Sequence, residues 1–80
     1  MKMNARTRDF YVRHVAEEGM DKFDLSDFEA VRQFISSQTY SMLIDERLQM
    51  NEFSPLAIFD MWKTEREQGD PRLSVYIAGE

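Results

Sequence analysis

The 80-residue chain contains no cysteine, which excludes a disulfide framework and a thiolate metal site. It has three glycines and a single histidine, and it contains neither a glycine-flanked serine nor a glycine loop of the kind that binds phosphate. The longest apolar run, residues 55–59, is far shorter than the roughly 20 residues that span a bilayer, and the first residues lack the apolar block of a signal peptide. We therefore expect a cytoplasmic protein that is not an enzyme and needs no cofactor or metal.

The composition predicts one domain, residues 1–80. Apolar residues make up 42% of the chain, enough for a single modest core. The net charge of −5 disfavours general affinity for nucleic acid, since an acidic chain repels phosphate backbones. This charge is unevenly spread: residues 1–13 hold four basic residues against one acidic residue, whereas residues 14–31 hold six acidic residues against one basic residue.

Four segments have the apolar spacing of amphipathic helices. The predicted bounds are residues 7–19, 26–36, 37–49 and 55–68, after a frayed start at residues 1–6. Ser26, Ser37 and Ser54 are the predicted N-caps, and Glu29 is placed to complete a capping box with Ser26. Gly69 is the predicted stop of the fourth helix. For the first segment, a short strand through residues 10–14 is the alternative.

The tail leaves two structures open. Asp70 as a cap and Pro71 at the first helical position favour a short fifth helix that ends at Gly79, whereas the alternating apolar residues at 72–77 are typical of an edge strand. We therefore predict an all-α bundle of four to five short helices. An α+β fold with a C-terminal strand at 72–77 is the alternative.

The fourth helix is apolar around much of its circumference, which is typical of a helix at the centre of a core or shared with a partner. We expect more apolar surface here than the chain can cover, and hence a non-enzymatic protein-binding module that acts as an adaptor, inhibitor or regulator. The predicted anchors are Ile58, Met61, Trp62, Lys63 and Arg66. Self-association into a homodimer through this helix and the tail is a further expectation. The competing interpretation is that Trp62 fills the middle of a small bundle.

An acidic patch follows the only histidine. It consists of Glu17, Glu18, Asp21 and Asp24. A metal site at His14 would need carboxylates for all its other ligands, which is unusual for zinc, so we interpret this region as an acidic edge. Small acidic proteins of phages and mobile elements often block host enzymes, sometimes by imitating the charge of DNA, and the patch is compatible with that role. A solvated surface is the alternative.

Residues 45–48, a short turn and residues 54–63 resemble the two helices of a helix-turn-helix, whose second helix often begins Ser-Pro and closes on a tryptophan. The turn is longer than usual and lacks its glycine. Asp60 stands where a recognition helix carries Arg, Lys, Asn or Gln. The resemblance nevertheless implies an alternative function, that of a dimeric DNA-binding regulator.

Overall fold

The computed structural model of the protein describes residues 4–74. Its elements are the helices α1 (Ala5–Phe23), α2 (Asp27–Ile35), α3 (Gln38–Leu43) and α4 (Pro55–Gln68), with 3-10 turns at Met50–Glu52 and Pro71–Leu73. Over these residues the protein is a small all-α bundle without strands, which confirms the predicted fold class.

The structure tests the prediction for the tail only over its first residues, 70–74. Asp70 caps the second 3-10 turn, because its carboxylate accepts a hydrogen bond from the backbone N–H of Arg72 at 2.9 Å. Arg72 and Leu73 belong to this turn, so the strand alternative is wrong at these two positions. The turn ends at Leu73, and Ser74 has a non-helical backbone, so the predicted fifth helix does not continue through Ser74. The tail prediction for residues 75–79 lies outside the described residues.

Serine hydroxyls cap three helices as predicted. Ser26, Ser37 and Ser54 accept hydrogen bonds from the backbone N–H groups of Glu29, Tyr40 and Ala57 at 3.2, 3.1 and 3.2 Å. Gly69 ends α4 with a positive φ of 84°, as expected of a glycine stop. The Glu29 carboxylate does not reach back to Ser26, because it accepts hydrogen bonds from the side chains of Arg32 and Gln33.

The first helix is longer at both ends than the sequence predicts. Asn4 caps it by accepting a hydrogen bond from the N–H of Thr7 at 2.8 Å, so the prediction of fraying is wrong for residues 4–6, and residues 1–3 lie outside the described part. The helix also continues through Gly19 to Phe23, which overturns the predicted stop and the strand alternative. Gly19 has a packing role, since a Cβ atom there would lie 2.7 Å from Cζ3 of Trp62.

The third helix ends at Leu43 and is shorter than predicted. The next residues form a turn in which the Asp45 carboxylate accepts a hydrogen bond from the backbone N–H of Arg47 at 3.0 Å. The guanidinium of Arg47 binds both oxygens of the same carboxylate, and the pKa of Asp45 is lowered by these hydrogen bonds. An aspartate that binds its own backbone two residues along competes with a helix, which explains the early end.

Helix α4 lies at the centre of the bundle. It packs against α1, α3 and the second 3-10 turn. Trp62 is 2% exposed, and its ring centroid lies 5.3 Å from those of both Phe23 and Phe34. The interpretation of Trp62 as the middle of a small bundle is therefore confirmed.

Two side-chain contacts fasten neighbouring elements to α4. The Glu65 carboxylate accepts hydrogen bonds from the backbone N–H groups of Gln38 and Thr39, both at 2.9 Å, and from the Thr39 hydroxyl at 2.8 Å. It thereby satisfies free N–H groups at the positive end of α3. The Ser74 hydroxyl donates to the Asp60 carboxylate at 2.6 Å, which holds the second 3-10 turn against α4.

Candidate functional site

The structure places most of the predicted anchors on α4 inside the core. Ile58 and Met61 are completely buried and Trp62 nearly so. The expectation that α4 has more apolar surface than one chain can cover is therefore wrong for these three residues, because α1, α3 and the second 3-10 turn pack against α4, but Leu56 at the start of α4 is 62% exposed. In the folded protein these three side chains are not accessible to a partner.

The two charged anchors, Lys63 and Arg66, lie at the surface but are engaged within the chain. The Arg66 guanidinium carbon lies 4.2 Å from the ring centroid of Phe23, and its NH1 donates a hydrogen bond to the side-chain oxygen of Gln33. Lys63 Nζ lies 3.5 Å from the carboxylate of Glu67. Arg66 therefore lies over the edge of the aromatic core while its side chain stays exposed at the surface.

Large apolar side chains are nevertheless exposed on several other parts of the chain. They are Phe10, Met20, Phe28, Ile35, Ile44, Leu48, Leu56 and Leu73. Single exposed apolar residues are normal on a soluble protein, and a groove for a ligand needs apolar residues that share a concave surface. Phe10 and Leu56 do so.

The groove formed there, which we call the α1–α4 groove, has a volume of about 330 Å³. Its lining residues are Phe10, His14, Glu17 and Glu18 on α1 together with Ser54, Pro55 and Leu56 at the start of α4. Phe10 is 49% exposed and Leu56 is 62% exposed. The volume lies at the small end of the range for ligand sites, which is suited to one large side chain.

A hydrogen bond between residues adjacent to the groove in sequence holds its two walls together. The Tyr11 hydroxyl, next to Phe10, donates a hydrogen bond to the backbone carbonyl of Phe53, which precedes the Ser54 cap. A tyrosine hydroxyl is protonated at neutral pH, and burial raises the pKa of Tyr11 further. Because Pro55 then starts α4 with its fixed φ, the groove exists before any partner binds.

One rim of the groove is negatively charged. Glu17 and Glu18 line it, and the other two members of the acidic patch follow along the chain, Asp21 in the last turn of α1 and Asp24 as the C-cap of this helix. His14 is exposed, and its ring lies 4.5 Å from that of Phe10 between centroids. Among residues 4–74 no group of three or more histidine and acidic side chains is placed to hold a metal ion. The groove is therefore equipped for apolar contact beside negative charge.

A second cleft, between α1 and α2, is larger at about 580 Å³. Its walls carry Arg13 as well as Asp9, Glu17 and Asp27 around the small apolar surface of Val12. Charges of both signs give this cleft no clear preference for a partner, so the α1–α4 groove is the stronger candidate.

The resemblance to a helix-turn-helix does not extend to the geometry. Residues 45–48 form a turn, so the first of the two helices is missing. The second, α4, is enclosed by other elements along most of its length, and Asp60 binds Ser74. A recognition helix must project far enough to enter a groove of DNA, and α4 does not.

The sequence did not single out Phe10 and Leu56 as binding residues. One signal was present for Leu56, because it stands four residues before Asp60 and seven before Lys63, which puts an apolar residue on the polar stripe of α4. The partner wall on α1 could not be identified without the tertiary structure.

Comparisons of the chain with protein-family models, curated proteins and solved structures found no match. No helix within residues 4–74 combines the length and the apolar character that crossing a membrane requires.

Proposed function

We propose that the protein is a non-enzymatic binding module that acts as an adaptor, inhibitor or regulator by taking up an apolar and basic segment of a protein partner in the α1–α4 groove. The observation that carries the proposal is the position of Phe10 and Leu56. Both are about half exposed or more, and both line one concave surface whose rim carries Glu17 and Glu18.

The apolar part of the groove supplies the free energy of binding. Burying a leucine or phenylalanine side chain is worth roughly 1.5–3 kcal/mol. Phe10 and Leu56 become covered in the same event, which adds to this gain. A single anchor of this size supports weak, reversible binding.

The acidic rim selects the charge of the partner. An exposed ion pair with Glu17 or Glu18 contributes only about 0–1 kcal/mol, but complementary charge orients the partner and speeds its association. A segment with an aromatic residue or leucine beside lysine or arginine therefore matches both features of the groove.

Selection of short random peptides displayed on phage against the immobilised protein tests this proposal. We expect the enriched sequences to combine an aromatic residue or leucine with a basic residue. Leu56→Asp should weaken the binding of an enriched peptide by about tenfold or more, because it removes apolar contact and adds charge to the groove. Leu73→Asp is the matched control, since Leu73 is 51% exposed and lies on the second 3-10 turn.

The role of the rim is tested by reversing its charge. In the double variant Glu17→Lys/Glu18→Lys, the enriched sequences should carry aspartate or glutamate in place of the basic residue. Peptides that bind wild type and Leu56→Asp equally well, or that show no preference for basic residues, would contradict the proposal.

A further inference from the structure

Five exposed residues of α1 and its exposed C-cap residue, Asp24, form a stripe on the outer side of the helix, which we call the α1 stripe. They are Arg6, Phe10, Arg13, Glu17, Met20 and Asp24. Their separations alternate between four and three residues, so they lie on one face of the helix, but only Phe10 and Met20 are apolar, whereas the seam of a coiled coil is apolar throughout. Tyr11, Val15 and Gly19, which are buried, lie on the opposite side of the helix.

The stripe is complementary to its own reverse. From the N-terminal end its members are basic, apolar and basic, and then acidic, apolar and acidic. When a second copy runs in the opposite direction, Arg6 comes beside Asp24 of the second copy and Phe10 beside its Met20. In the middle, Arg13 comes beside Glu17.

This order of charges is not explained by the stability of α1 itself. The helix dipole favours acidic residues in the first turn and basic residues in the last, but the first turn of α1 has no acidic residue and carries Arg6 and Arg8. Arg13 precedes Glu17, which is the less favourable order for a pair within a helix. Neither residue makes an ion pair within residues 4–74.

We propose that two copies of the chain associate through the α1 stripe as an antiparallel homodimer with two-fold symmetry. Each pair of contacts then occurs twice, as an isologous interface requires. The antiparallel arrangement also sets the positive end of each helix dipole beside the acidic half of the other helix. Beside the stripe, Thr7 faces Asp21 of the second copy and Asp9 faces its Phe23, so the carboxylates at the edge of the interface are not brought together.

This surface differs from the α1–α4 groove, although Phe10 and Glu17 contribute to both. The dimer covers part of the α1 wall of the groove, so self-association competes with a groove ligand. Arg13 does not line the groove, and variants at this position therefore test the dimer separately from partner binding.

Sedimentation equilibrium of the full chain tests the dimer. With rising concentration the average mass of wild type should increase from 9.5 kDa towards twice that value. Arg13→Glu and Glu17→Arg each place like charges opposite one another at both contacts, and each should raise the dissociation constant by about tenfold or more. The control is Arg8→Glu, which makes the same charge change on the same helix but off the stripe, and it should leave the dissociation constant close to that of wild type.

The decisive experiment mixes the two charge-reversed variants. In an equimolar mixture of Arg13→Glu and Glu17→Arg, every central contact of a mixed dimer pairs glutamate with arginine, so the mixture should recover the mass that each variant alone has lost. The double variant Arg13→Glu/Glu17→Arg should dimerise with itself for the same reason. A monomeric wild type, a mixture that stays monomeric, or an Arg8→Glu variant as weakened as Arg13→Glu would overturn the proposal, and circular dichroism shows whether each variant is folded.

Discussion

Replacing Gly19 by alanine is expected to destabilise the protein, although alanine is the better helix former. A Cβ atom at this position would lie 2.7 Å from Cζ3 and 3.1 Å from Cη2 of Trp62. The indole cannot simply move aside, because the rings of Phe23, Phe34 and Phe59 surround it at centroid distances of 5.3, 5.3 and 6.3 Å. The added methyl group must therefore push α1 and α4 apart or distort the core.

Two opposing terms decide the size of the effect. Alanine gains about 1 kcal/mol over glycine in a helix interior, whereas forcing a methyl group into a packed core costs about 1–3 kcal/mol. Because Trp62 is 2% exposed and enclosed on several sides, we expect a cost near the upper end. The net loss is then about 1–2 kcal/mol of unfolding free energy, which lowers Tm by roughly 5–15 °C for a domain of this size.

Chemical and thermal denaturation followed by circular dichroism measures this loss. The sharper test is a double-mutant cycle, since Trp62→Phe removes the ring that carries Cζ3 and Cη2. In that background Gly19→Ala should become neutral or stabilising by up to about 1 kcal/mol, because only the helix propensity remains. If Gly19→Ala stabilises the protein with Trp62 in place, the close packing of α1 on α4 is not what selects glycine.

Two further predictions concern single side chains. Glu65→Ala should reduce the unfolding free energy by about 2 kcal/mol, since it removes the carboxylate that caps α3. Glu67→Ala, two residues further along at an exposed position of α4, should change it by less than about 0.5 kcal/mol in denaturant titrations. For Tyr11, whose pKa is raised by burial, the folded state keeps the phenol proton when the unfolded state has lost it, so stability is lost as the pH rises through about 10. The same titrations over this pH range should show a smaller loss for Tyr11→Phe, and an equal loss in both proteins would refute the role of this hydroxyl.

Local signals in the sequence predicted the starts of α2, α3 and α4, but not the Asn4 cap at which α1 begins. Ser26, Ser37 and Ser54 each cap a helix by accepting an N–H three residues along, because this interaction depends only on neighbouring residues. The ends of α1 and α3 were wrong, because each depends on something outside the local pattern. Gly19 leaves room for the ring of Trp62, which is distant in sequence, and does not end the helix. Asp45 accepts a hydrogen bond from the backbone N–H of Arg47, and α3 ends although the apolar spacing continues to Leu48.

A different cause explains why three of the five predicted binding residues, Ile58, Met61 and Trp62, are buried. The apolar circumference of α4 was correctly identified, but the sequence could not show how much surface the other elements would cover. Pro71 and its 3-10 turn fold back onto α4, and α1 gains a further turn of helix that brings Phe23 against Trp62. The apolar surface of α4 that stays exposed therefore lies at its start, where Leu56 is the second residue of the helix.

The most direct test of binding in the α1–α4 groove is an amide chemical-shift map, recorded while a peptide enriched in the selection is added to the labelled protein. The largest changes should cluster at Phe10, His14 and residues 54–56, and the amides around Met61 and Trp62 should change little because the core stays closed. Changes centred on Trp62, or spread over the chain as the core opens, would contradict the account. They would indicate that the partner binds the residues of α4 that are buried in the core.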